Sequence, residues 1–201
     1  MPAAATILGA FKLTGKTKSG FSLGLMESVT SRESASVFHD EVYTDVAVEP
    51  LTNYFAARVQ KDWNSGATVL GGMITAVNRE AAGGSFGTLH RAAYSGGIDF
   101  SHSWGNRNYY LSFKAVTSHV RGTAEAILAT QLSPIRYFQR PDAGYVGVDL
   151  RRTSLTGTGG HFEIGKQGGG RWTYAAGVTW RSPELELNDA GYLRQTDMIM
   201  A

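Results

Sequence analysis

Period-two alternation constrains this chain more than any other feature. Successive residues of a strand face opposite sides of a sheet, so an apolar residue at every second position marks a strand with two unlike faces. From Ala92 to Trp104 one face carries Ala92, Tyr94, Gly96, Ile98, Phe100, His102 and Trp104, and the other Ala93, Ser95, Gly97, Asp99, Ser101 and Ser103. The segment from Trp172 to Arg181 repeats the plan, with Trp172, Tyr174, Ala176, Val178 and Trp180 set against Thr173, Ala175, Gly177, Thr179 and Arg181. Tyr109, Leu111, Phe113 and Ala115 oppose Ser112, Lys114 and Ser118; Phe21, Leu23 and Leu25 oppose Ser22, Gly24 and Ser28. Weaker alternation predicts strands over Ile7–Thr14, Leu51–Lys61, Ala67–Asn78 and Ser154–Lys166, with a ninth near Tyr192–Met200.

The connections arrange these strands. Lys16–Gly20, Asp62–Gly66, Gly105–Asn108 and Gln167–Gly170 are short and rich in Gly, Asn, Ser and Asp, the residues of hairpin turns. Thr30–Pro50, Arg79–His90 and Arg121–Thr153 are long. Short and long loops alternate, so an antiparallel up-and-down meander of eight to nine strands gathers every tight turn at one end. Membrane barrels show that asymmetry, and their strands cross the bilayer in roughly ten residues with aromatic girdles at the two interfaces. Tyr94, Trp104, Tyr109, Trp172 and Trp180 are the candidate interface aromatics. Lys12, Arg58, Asp99, Lys114 and Arg181, on the small polar faces, are the candidate lumen residues. The fold class expected is all-β, with residues 1–201 forming one segment of a transmembrane β-barrel.

Composition narrows the field further. The chain has 25 glycines in 201 residues, only 18% charged residues and no cysteine; a disulfide scaffold and a thiolate metal site are excluded. Nineteen basic against 17 acidic residues, scattered, give no footprint for nucleic acid. The solvated faces of soluble strands carry more charge than these do. A soluble barrel binding an apolar ligand among Tyr94, Phe100, Phe113, Trp172 and Tyr174 is the alternative, because periodicity alone does not say which face meets water.

Several segments, in order, resemble a family of bacterial outer-membrane proteins in which an N-terminal family-nine-type carbohydrate-binding domain precedes a large β-barrel of unassigned function. They are Gly9–Gly15, Ser28–Thr30, Glu49–Phe55, Thr75–Arg79, Ser118–Gly122, Tyr137–Asp142, Arg181–Pro183 and Asn188–Asp189. The resemblance implies an internal piece of such a barrel in the outer membrane of a Gram-negative bacterium. Its partners would be the bilayer and the rest of the parent barrel, with carbohydrate reached only through a domain that has no counterpart here. No basic segment precedes the first apolar stretch, so no secretory signal is expected. The close on Met198-Ile199-Met200-Ala201, without a terminal aromatic, fits a fragment.

No catalytic residue, metal or cofactor is assigned. Gly83-Gly84-Ser85-Phe86-Gly87 spells a nucleophile-elbow string, but no helical pattern follows it. A hydrolase using Ser85 and His90 is therefore the least favoured function. Gly160–Lys166 spells a phosphate loop yet alternates as a strand, and His39-Asp40-Glu41 reads as a solvated loop more readily than as metal ligands. Thr123–Gln131 is expected to form a short helix that packs on the loop end. Tyr137, Phe138, Arg140 and Asp142 are the candidate ligand contacts in the longest loop; Arg140 and Asp142 pairing to hold the loop is the competing structural role.

Overall fold

The computed structural model describes residues 4–39, 41–80 and 84–201. Eleven strands are seen among them: β1 (Ile7–Lys16), β2 (Phe21–Thr30), β3 (Glu33–His39), β4 (Val42–Glu49), β5 (Thr52–Trp63), β6 (Thr68–Arg79), β7 (Ala92–Trp104), β8 (Tyr109–Arg121), β9 (Ser154–Lys166), β10 (Tyr174–Arg181) and β11 (Met198–Met200). One helix, α1 (Ala124–Leu132), lies between β8 and β9. Nine strands make a single antiparallel meander in the order β1-β2-β5-β6-β7-β8-β9-β10-β11, and β3 pairs with β4 as a separate hairpin. The sheet is not closed, so β1 and β11 are free edges.

The expected meander is present, with three differences. The stretch from Thr30 to Pro50 is not all loop, because β3 and β4 pair from Glu33 to Glu49 as a local hairpin. β10 begins at Tyr174, opposite the last residue of β9, Lys166, so Trp172 has no strand partner and stands in the turn, highly exposed. The ninth strand is only three residues long, pairing Met198–Met200 with Arg181–Thr179, and Tyr192 lies outside it.

Register assigns every strand residue a face. Tyr54 pairs with Val77, Val77 with Ala93, Ala93 with Val120, and Val120 with Leu155, one apolar rung across five strands near the long-loop end. Ile127 of α1 and Phe138 pack on this rung, with Val146 and Val148 against it, and form the hydrophobic core. Burying side chains of this size contributes roughly 1.5–3 kcal/mol each. Thr123 caps α1, its hydroxyl accepting from the Ala126 N–H at 3.1 Å and donating to the Gly87 carbonyl at 2.8 Å. The face bearing the core is termed inner. Residues 182–197 also lie on it: the Ser118 hydroxyl accepts from the Glu186 N–H at 2.9 Å, and a Cβ at Gly157 would collide with the Leu185 backbone.

Among the described residues the opposite, outer face has no such cover. Phe11, Leu13, Leu23, Val59, Leu70, Ile74, Ile98 and Ile164 lie on it, and all are exposed. Phe100, Phe113 and Phe162 form a continuous rung there.

Candidate functional site

All five candidate lumen residues share the inner face. Lys12 pairs in register with Met26, Arg58 lies between Gly24 and Met73, Asp99 opposes Lys114, and Arg181 opposes Gly159. Proximity alone does not decide their partners. Asp99 reaches past its neighbour Gly71 to Arg58, whose Nη2 donates to Oδ2 at 2.9 Å, to Oδ1, and to Gln60 Oε1 at 3.1 Å. Gly71 leaves room for this pair, since a Cβ there would lie 2.7 Å from Arg58 Nη2 and overlap the Asp99 carboxylate, so both side chains would have to shift.

Elsewhere on this face Lys16 pairs with Asp62 at 3.1 Å, and Glu163 accepts from the Tyr110 hydroxyl at 2.7 Å. Arg181 donates to the Gln195 carbonyl at 2.9 Å. Lys12 and Lys114 have no carboxylate partner among the described residues. Between the apolar rung and the tight turns the inner face therefore carries five cations, Lys12, Lys16, Arg58, Lys114 and Arg181. Against them stand three carboxylates, Asp62, Asp99 and Glu163.

The outer face holds four of the five aromatic candidates, Tyr94, Trp104, Tyr109 and Trp180, while Trp172 stands in the turn before β10. Trp104 stacks on Tyr109 at 5.8 Å and on His102 at 5.7 Å, beside the turn that joins β7 to β8. Tyr94, ten residues up the same strand, donates its hydroxyl to Asn78 Oδ1 at 2.8 Å. Trp180, near the end of the shorter β10, lies in register with Ala115 and Ile98 at mid-face, its ring over Gly160. The outer-face cations stay near the ends: Lys166 lies over the Tyr109 ring, and Lys61 lies over Trp63 and donates to the Ser19 carbonyl in the adjoining turn. An apolar groove of about 840 Å³ crosses the middle of this face, walled by Val59, Ile74, Ile98 and Trp180 over Gly72 and Gly96.

The long-loop candidates separate. Phe138 is buried in the core, out of reach of a ligand, whereas Tyr137 is half exposed. Arg140 pairs with Asp142 at 3.5 Å and more closely with Asp197; Asp197 also accepts from the Tyr145 hydroxyl at 2.6 Å. Arg140 thus ties the loop after α1 to the segment before β11 through Asp197, while its pair with the exposed Asp142 is local to the loop.

A second cluster, spread over distant segments, is not visible as a motif. Asp189 accepts from Arg79 Nη1 and lies 2.7 Å from His90 Nδ1; His90 Nε2 lies 2.7 Å from the Thr130 hydroxyl. Burial pushes the Asp189 carboxyl up, but the hydrogen bonds and charges of His90 and Arg79 outweigh it and hold the group below the usual carboxylate range. The order carboxylate, imidazole, hydroxyl is that of a nucleophilic relay. Here, however, Thr130 is buried and its hydroxyl donates to the Ala126 carbonyl at 3.0 Å, as a helix back-bond. The arrangement clamps the 79–90 connection, α1 and the 182–197 segment together. His90 is engaged in this clamp, and Ser85 sits apart in a 3₁₀ turn, Gly84–Phe86; Gly83 of the elbow string lies outside the described residues. Gly160–Lys166 is part of β9. Asp40 of His39-Asp40-Glu41 also lies outside the described residues, and among those described no group of three metal-ligating side chains converges.

Together these features define an open antiparallel β-meander with one apolar uncovered face and one charged face partly filled by its own loops. Over residues 1–201 the chain matches the family described as a domain of unknown function, DUF5916, and it belongs to that family. No curated protein and no solved structure matches it. Among the described residues no helix is long and apolar enough to cross a membrane, which does not bear on strands.

Proposed function

We propose that this chain is part of the wall of a transmembrane β-barrel in the outer membrane of a Gram-negative cell. Its outer face meets lipid, and its inner face lines a lumen narrowed at one end by α1 and residues 182–197. The parent barrel serves solute passage or carries a carbohydrate-binding domain at the cell envelope. The observation that carries this reading is the asymmetry of the faces. Loops and charges collect on the inner side, while the outer side stays uncovered and apolar between the aromatic ends of β7.

Ten residues separate Tyr94 from Trp104. At about 3.3 Å per residue and a tilt near 40° they span roughly 25 Å, the height of the apolar band of such barrels. A soluble protein exposing so much contiguous apolar surface would associate. The groove at mid-face is the observation that favours the second reading, a soluble module holding an apolar ligand.

Refolding with and without detergent micelles separates the two. Circular dichroism and tryptophan emission should show β structure and a blue shift only with micelles. A folded monomer in plain buffer would overturn the membrane reading.

A further inference from the structure

Charges that look scattered along the chain are sorted by the fold. Lys16, Lys18, Lys61, Arg107, Lys166 and Arg171 all lie in or beside the four tight turns, and the only described carboxylate there is Asp62. Every other described carboxylate except Asp99 and Glu163 belongs to the long-loop half of the strands or to the segments joined to it. The sorting follows from the meander, because each hairpin returns its turn to the same end. Successive turns are two strands apart, roughly 10 Å, so their charges lie within about one Debye length of each other at 0.1 M salt.

Local pairing leaves this rim cationic. Asp62 is taken by Lys16 at 3.1 Å, whereas Lys61 and Arg107 donate to neutral groups, the carbonyls of Ser19 and Ser65. Lys18, Arg107 and Arg171 are exposed, and among the described residues none of the three pairs with a carboxylate. The same turns border the apolar outer face with exposed indoles: Trp63 and Trp104 end strands on that face, and Trp172 precedes β10. Lys61 and Lys166 lie over the rings of Trp63 and Tyr109.

We propose that the tight-turn rim docks on the anionic headgroups of a phospholipid leaflet. Lys and Arg side chains reach the headgroup phosphates while the indoles sit beneath them at the edge of the hydrocarbon. Each cation near an anionic leaflet adds an attraction that salt screens. A free phosphate would engage one turn at a time and leave the aromatic border in water. The inference deepens the barrel reading by giving the turn end its lipid, and it rests on that reading only for how deeply the sheet is inserted; docking itself requires the rim and a bilayer surface.

Trp63, Trp104 and Trp172 are three of the four tryptophans, so their emission reports on the rim. The test is quenching of that emission in the intact protein by phosphatidylcholine vesicles carrying an equal minor fraction of chain-brominated phosphatidylglycerol or chain-brominated phosphatidylcholine. A preference for phosphatidylglycerol of about fivefold is expected at low salt, and none at about 1 M salt. The triple variant Lys18→Gln, Arg107→Gln, Arg171→Gln should lose it. The triple variant Arg91→Gln, Arg121→Gln, Arg151→Gln, which removes the same charge from exposed positions at the long-loop end, should keep it. Equal quenching by the two lipids at low salt would overturn the inference, as would equal loss in both triple variants, which would reduce the effect to net charge. Inorganic phosphate abolishing the preference at fixed ionic strength would replace the leaflet by a free anion. A protein that folds in plain buffer and still prefers phosphatidylglycerol through this rim would refute the barrel but keep the rim; one that needs lipid to fold yet shows no preference would do the reverse.

Discussion

Asp189 shows how much a single side chain can hold at the loop end. Its carboxylate joins Arg79 from the end of β6 to His90 from the next connection, and His90 in turn meets Thr130 on α1. Because its folded-state pKa is depressed, the charged form contributes stability above the ordinary carboxylate value, and that contribution is lost as pH falls through the lowered value. Asp189→Asn should therefore open residues 184–193 at pH 5 by on the order of 2 kcal/mol. The difference from the parent should shrink as pH falls through the lowered carboxylate value. Amide hydrogen exchange in that segment measures both; a gap that stays the same however far pH is lowered below the ordinary carboxylate range would refute the ionic account. None of this was legible in the sequence, because Arg79, His90, Thr130 and Asp189 are brought together by folding and share no spacing. The lumen candidates were legible as a set, since period two places Lys12, Arg58, Asp99, Lys114 and Arg181 on one face. Their pairing was not: Asp99 sits opposite Lys114 yet bonds to Arg58 because Gly71 leaves the intervening position empty.

At the scale of elements, strands built by burial of one face announced themselves, and those built by local pairing did not. β7 and β8 alternate because one face carries the inner rung and the other the aromatic ends. β3 and β4 form a two-stranded sheet of their own, and Val37, Phe38, Val42 and Tyr43 are all exposed at its tip, so no periodic buried face set that stretch apart from a loop. The helix was legible from Ala126, Ile127 and Ala129, but what anchors its loop was not. Arg136, fully buried, donates to the Thr130 carbonyl at 3.0 Å, to the Leu185 carbonyl at 2.9 Å and to Glu186 Oε2 at 2.6 Å. It fastens the loop after α1 to the 182–197 segment. Glu186→Leu would leave that guanidinium buried without its counter-charge, at a cost of about 3–5 kcal/mol. Both loops should then lift from the inner face while the sheet persists. Limited trypsin digestion reads this as new cleavage after Arg136 and Arg194 with unchanged circular dichroism; equal resistance to trypsin would show that the apolar contacts of Phe138 and Leu185 hold the loops without the ion pair.

The whole molecule presents two edges and one uncovered face. β1 and β11 leave their outer hydrogen-bonding groups unpaired, and an open sheet edge is not tolerated in hydrocarbon. In the barrel reading both edges are therefore joined to further strands. The outer face gives a sharper test than the edges, because the two functional readings assign opposite solvents to one residue. Ile98 is 56% exposed, lies midway along β7 and faces outward between Gly72 and Ala115. If that face meets water, Ile98→Arg removes an exposed apolar side chain and costs little, within about 0.5 kcal/mol. If it meets the middle of a bilayer, the same change should cost about 2–4 kcal/mol, whereas Ser101→Arg on the inner face of the same strand should cost under about 1 kcal/mol. Denaturant titration of the refolded protein in lipid vesicles measures both. A large penalty confined to Ile98→Arg favours lipid on the outer face, and equal small penalties at the two positions would return that face to water.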